Sequence, residues 1–185
     1  MSAEASAPVE SATLVERPAA RRACIVVLGG RPFAVDVVDT REVVVLDATT
    51  PVPGAPSSVV GVMNLRGTVL PVIEARPLLG LAVRPAVGAA RALVLADDAN
   101  QRAAILIERV LGLAVFENVN PPADGVSPGD LVVGDLVDEA GDRATVLDAA
   151  ALLRAVRRAW DSTTQPSHAV PSAPEPVAPA RTPGA

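Results

Sequence analysis

The chain has 185 residues, half of them apolar, with a formal charge of −5 and one cysteine, Cys24. The apolar content suffices for a sizeable core, a lone cysteine excludes an intrachain disulfide, and arginines scattered through an acidic whole argue against nucleic acid as a partner. Met1 to Arg22 lacks the apolar core of a signal peptide. No uninterrupted apolar run reaches the roughly 18 residues of a membrane helix, so the expected setting is the cytoplasm, without direct membrane insertion.

Residues 1–20 mix Ala, Pro, Ser and Glu, and residues 161–185 mix Pro, Ala, Ser and Thr. Neither segment can bury enough apolar surface to offset its ordering entropy, so both read as disordered tails. Between them, short Val- and Ile-rich runs alternate with Gly, Pro, Asp and Asn, the pattern of strands joined by turns. Strands are expected at Cys24–Leu28, Phe33–Val38, Glu42–Asp47, Val60–Leu65 and Thr68–Glu74, then Ala92–Ala96, Ala103–Glu108, Leu113–Glu117, Val132–Val137 and Arg143–Leu147. Phe33, Val35 and Val37 alternate with Ala34, Asp36 and Val38, which predicts one buried and one partly exposed face. Val69 to Ile73 is apolar on both faces and predicts a strand between two layers, with Pro71 at an edge or bulge because it has no amide proton for a ladder. Arg76–Leu79 offers at most a turn of helix. The one credible helix runs from Asp148, a candidate N-cap, to about Trp160, with Ala149, Leu152, Leu153 and Val156 at helical spacing. The fold class is therefore all-β with one short C-terminal helix.

The strand pattern repeats. "VVGVMNLRGTVLPVIEARPLL" and "VVGDLVDEAGDRATVLDAAALL" share Val-Val-Gly, a hairpin turn, an apolar strand, an acid and Leu-Leu. Upstream, "CIVVLGGRPFAVDVV" matches "ALVLADDANQRAAILIE", and "TPVPGAP" matches "VNPPADG". Agreement in order and spacing implies a duplicated unit of about 70 residues. Each copy is expected to form a small five-stranded sheet that can close into a barrel, the two sharing an apolar seam.

The chemical inventory is narrow. The only histidine, His168, falls in the C-terminal tail, so the core cannot build a Cys/His metal site. There is no phosphate-cradling Gly-rich loop and no GxSxG elbow. "DDAN" at Asp97–Asn100 lacks the twelve-residue calcium pattern and reads as a hairpin turn. Glu74 and Asp148 close equivalent strands, where each is expected to end its strand or cap the next segment. No cofactor, metal or catalytic residue is expected. The alternative from another class is a small-molecule-binding β-barrel, or a hydrolase using Glu74 and Asp148.

The hairpin "GVMNLRGTVLPVIEARPLLGL", with its Asn64-Leu65-Arg66-Gly67 turn, closely resembles the signature hairpin of CheW-like proteins, and "GGRPFAVDVVDTREVVVLDATTPVPGAP" resembles that family's opening strands. "VVGDLVDEAGDRATVLDAAALL" is similar to its closing hairpin and helix. The resemblance spans about Cys24 to Arg158 and implies a CheW-like domain over residues 21–160 made of two intertwined five-stranded barrels of SH3 type. It implies a non-catalytic scaffold between a CheA-type histidine kinase and the cytoplasmic tip of methyl-accepting chemoreceptors, placed in receptor arrays through those partners. Carried over by position, Gly61, Arg66 and Leu113 are expected to meet the receptor, and Thr40, Glu42 and Val43 the kinase. Read from its residues alone, Arg66 at the turn tip is either solvated, paired with a neighbouring carboxylate, or engaged by a partner. Thr40 stands where the family usually has an aliphatic residue, Phe33 where Tyr is common, and Ile107–Leu113 replaces a more acidic stretch. These departures leave room for a CheW-like scaffold diverted to another partner.

Overall fold

The computed structural model describes residues 20–83, 88–122, 129–137 and 141–164. Expectations for the two tails and for much of the second hairpin turn lie outside the described residues. Ten strands and a helix succeed one another along the chain: β1 Arg21–Leu28, β2 Arg31–Asp36, β3 Thr40–Val45, β4 Val59–Leu65, β5 Thr68–Ile73, β6 Arg91–Ala96, β7 Arg102–Ile107, β8 Arg109–Phe116, β9 Val132–Val137, β10 Arg143–Leu147 and α1 Ala149–Thr164. Pro77–Leu79 forms one turn of 3-10 helix, as expected after β5, and Gly129–Leu131 forms another before β9.

The strands form two five-stranded sheets ordered β8-β1-β2-β10-β9 and β3-β6-β7-β5-β4. Advancing every strand of the second by five positions gives the first, so the duplication is real at the level of topology. The expectation that each copy makes its own barrel is corrected. Copy one comprises β1 to β5, yet β3, β4 and β5 sit in a sheet with β6 and β7, while β8, β9 and β10 join β1 and β2. Four pairings join the copies: antiparallel β3 with β6 and β8 with β1, and parallel β5 with β7 and β10 with β2.

Alternation along the inner strands explains why these runs are apolar on both faces. Cys24, Val26, Leu28, Phe33 and Val35 face a shared core with Leu93, Leu95, Ile105 and the helix residues Leu152, Leu153 and Val156. Ala23 and Ala34 turn inward with Phe116, Leu136 and Val146. Ala92, Val94 and Ala104 do the same in the other sheet with Met63, Leu70 and Val72. Each sheet thus has its own small interior, and the expected apolar seam joins them.

Two strand expectations change. In β2 all of Phe33 to Asp36 is buried and exposure begins only at Val37, because both faces of that strand are covered. In β5 burial begins at Leu70, while Val69 is 66% exposed. Pro71 lies in an interior strand, but β5 ladders with β7 only at Val72 and Ile73, so the missing amide falls outside that ladder. The helix begins as expected, with Asp148 Oδ1 accepting the Ala151 amide at 2.7 Å. It continues through Thr164, past the boundary at 161 where the tail was expected to start. The "DDAN" turn is a hairpin connection closed by the Gln101 amide on Asp97 Oδ1 at 2.8 Å.

Candidate partner-binding surfaces

Thr40, Glu42 and Val43 all lie on β3, an edge of its sheet. The β3–β6 register shifts between Thr40 and Glu42, leaving Arg41 as an extra residue that bends the edge. Thr40 is committed to the turn that begins this strand, its hydroxyl donating to the Asp36 carbonyl at 3.0 Å. Glu42 and Val44 are half-buried, while Arg41, Val43 and Val45 face outward.

Arg66 sits at the tip of the β4–β5 hairpin, where Leu65 pairs with Thr68 across a two-residue loop. Arg66 and Gly67 have φ of 50° and 87°, the signs that a tight primed turn requires. Gly67 donates its amide to Asn64 Oδ1 at 2.8 Å, which helps hold the arginine in a conformation side chains otherwise avoid. Arg66 Nη2 lies 2.8 Å from Glu42 Oε2, with the two side chains 79% and 30% exposed. Since β3 and β4 are opposite edges of the sheet, this ion pair spans the gap between them. The structure therefore brings together one residue expected at the receptor and one expected at the kinase.

Gly61 has a local structural reason to be glycine. The segment containing Thr50 crosses β4, exchanging backbone hydrogen bonds with Val62 at 2.9 Å in both directions. A Cβ on Gly61 would stand 2.5 Å from the Thr50 carbonyl oxygen. The second copy repeats this: Asn120 exchanges hydrogen bonds with Asp135 at 2.8 Å, and a Cβ on Gly134 would collide with the Asn120 oxygen. Thr50, in "TPVPGAP", and Asn120, in "VNPPADG", thus each bridge an edge strand, β4 and β9, and act as straps that protect it from further pairing there.

Leu113 lies apart from Gly61 and Arg66, on the β8 edge of the other sheet, and is 68% exposed. Val43 pairs with Leu93 as Leu113 pairs with Cys24, so the two residues occupy equivalent positions in the duplication. By the same register Gly112 stands where Glu42 does. The β8 edge therefore has no counterpart of the glutamate that Arg66 holds, and Val110, Leu111, Leu113 and Val115 are exposed along it. Leu111 and Leu113 form one wall of a cleft of about 380 Å³ whose other side includes Leu136 and Arg143.

Glu74 and Asp148 end equivalent strands, and their amides bond equivalent carbonyls, Ser58 at 2.8 Å and Leu131 at 2.9 Å. Their side chains serve different tasks. Asp148 caps α1, whereas buried Glu74 accepts from Arg76 Nε at 2.7 Å. Glu108 completes this cluster, its carboxylate 3.6 Å from Arg76 Nη1 and accepting the Gly30 amide at 3.1 Å. The Glu74 carboxylate holds the Arg76 guanidinium above its ordinary pKa despite burial, and the cluster ties the β1–β2 turn of one sheet to β5 and β7 of the other. Sequence reasoning missed this junction; the Glu-x-Arg spacing in "VIEAR" was the available signal. Among the described residues, no group of three or more His, Cys, Asp or Glu is placed to hold a metal, and no helix is long and apolar enough to cross a membrane.

Exchanged edges, paired straps and a shared seam define a duplicated pair of SH3-like barrels. Residues 22–157 match the family model described as CheW-like domain, and the chain belongs to the CheW-like family. It is 41% identical over 54 residues to a chemotaxis protein CheW of Rhizobium meliloti, an alignment spanning 29% of this chain and 35% of that protein. It is 29% identical over 102 residues to a probable chemotaxis protein CheW of Rhizobium etli, spanning 54% of this chain and 64% of that protein. The matches thus cover less than two thirds of either relative. The crystal structure of the scaffolding protein TtCheW from Thermoanaerobacter tengcongensis superposes with a TM-score of 0.63 at 21% identity, covering 71% of this chain and 89% of that one. These likenesses do not favour a small-molecule-binding barrel or a diverted scaffold.

Proposed function

We propose that this protein is a non-catalytic adaptor that couples chemoreceptors to a CheA-type histidine kinase within a bacterial chemosensory array, on its cytoplasmic side. The observation that carries the reading is the match to the CheW-like domain across residues 22–157. In this reading Thr40, Glu42 and Val43 on the β3 edge meet the kinase. Gly61, Arg66 and Leu113 serve the receptor, with Gly61 acting through the strap it admits. The exposed apolar residues of the β3 and β8 edges support two docking surfaces on one body, with Arg66, paired to Glu42, bringing the receptor-facing hairpin tip beside the kinase-facing edge. Such a body transmits a receptor movement to the kinase through differential contacts in the two kinase states, without any chemistry of its own.

Calorimetry with the regulatory domain of the kinase and with a receptor-tip fragment tests the proposal. Saturable binding to both is expected, and binding to neither contradicts it. Exposed ion pairs contribute at most about 1 kcal/mol, so Arg66→Ala is expected to leave the melting temperature nearly unchanged while weakening receptor binding several-fold. Unfolding of that variant would make Arg66 structural and remove it from the receptor surface.

A further inference from the structure

Four strands end the two sheets, β8 and β9 in one and β3 and β4 in the other. Three of them are guarded against adding another strand. Thr50 and Asn120 bridge β4 and β9, and β3 carries Arg41 in its bulge and Glu42 in the ion pair with Arg66. The duplication puts Leu111 and Gly112 of β8 where β3 has Arg41 and Glu42, so from Val110 to Phe116 this edge carries no charge. A long, apolar, unguarded edge is a template for a further strand.

We propose that two copies of this chain pair through β8, antiparallel about a two-fold axis at Leu113. The Arg22 carbonyl accepts from Val37 and the Val27 carbonyl from Glu108, each at 2.9 Å, so along β1 the residues alternate between facing β2 and facing β8. Ala23 and Ile25 face β8, where Ala114 and Gly112 meet them. Leu113 and Val115 therefore turn their backbone amides and carbonyls to the sheet edge. With Leu113 opposite Leu113 of a second copy, Leu111 falls opposite Val115 and Arg109 opposite Glu117. Apolar residues meet at the centre, and an exposed arginine meets an exposed glutamate at each end. Slipping by two residues either way, the smallest shift that keeps the outward groups facing, sets Arg109 opposite Val115 or Val119 and loses both ion pairs. The interface is self-complementary and closes at two copies. It hides Leu113, so this dimer and a partner docked on the β8 edge exclude one another.

Sedimentation equilibrium of the full chain over a range of concentrations reads this directly. No kinase or receptor is present, so the outcome is separate from that of the adaptor reading. A reversible dimer is expected. Arg109→Glu sets like charges at both ends and Leu113→Lys sets them at the axis, and each is expected to raise the dissociation constant about tenfold or more. Both side chains are exposed in the single chain, so far-UV circular dichroism of both variants should match the parent. Arg109→Glu combined with Glu117→Arg reverses the ion pairs and is expected to return the dissociation constant to within about threefold of the parent value. A chain that stays monomeric up to about 1 mM would overturn the proposal. So would a dimer that either single variant leaves at parent strength, or failure of the double variant to restore it.

Discussion

At Gly61 and Gly134 the same residue is required twice for one physical reason: a strap backbone passes too close for a Cβ. Gly61→Ala and Gly134→Ala are therefore both expected to destabilise the fold by about 1–3 kcal/mol through overpacking, measured by urea denaturation. Equal stability of Gly134→Ala and the parent would contradict the strap account. The sequence repeat aligned these glycines, but the crossing could not be read from it, because the carbonyls they approach belong to loops whose path is set by tertiary structure.

Asp39 carries a different cost. Burial first, then the charges of Asp36, Asp148 and Asp98, raise its carboxyl pKa against the opposing effect of Arg41. Between the ordinary aspartate value and the raised one, the native state holds more protons than the unfolded chain, so stability falls as pH rises through that window. Asp39→Asn is expected to be more stable than the parent at neutral pH, with the difference vanishing below the ordinary aspartate range. Thermal melts of both proteins across acidic to neutral pH would show this, and a gap independent of pH would refute it. Arg66 had three readings in the sequence; its pairing with Glu42 was invisible there because the residues join opposite sheet edges.

Among the elements, the strands were legible from alternation, turn residues and repetition, and the helix start from Asp148. Alternation could not reveal which copy each strand joins. A run such as Ala23 to Leu28 is apolar because one face lines the barrel interior and the other the seam, and that pattern is the same whether the partner strand is near or exchanged. Exchange has a measurable consequence. A fragment ending near Gly88 lacks β6, which pairs with β3, and β7, which pairs with β5. Such a fragment is expected to give no folded monomer, while mixing it with the complementary fragment restores strand signal by circular dichroism. An independently folded, monomeric first half would contradict the exchanged topology.

For the whole molecule, the family signal was concentrated in the β4–β5 hairpin, while the fold is held by features spread across both copies: the shared core, the straps and the Glu74–Arg76–Glu108 junction. These join two barrels, each with a small interior, into one body. One body with exposed apolar edges on β3 and β8 can hold two partners at once even though Arg66 and Glu42 meet at the β3 edge, which is the central claim of the adaptor reading. Sedimentation of this protein with both the kinase regulatory domain and a receptor-tip fragment tests it most directly. A ternary complex in which neither partner displaces the other is the expected result, and mutually exclusive binding, or binding of neither, would contradict it.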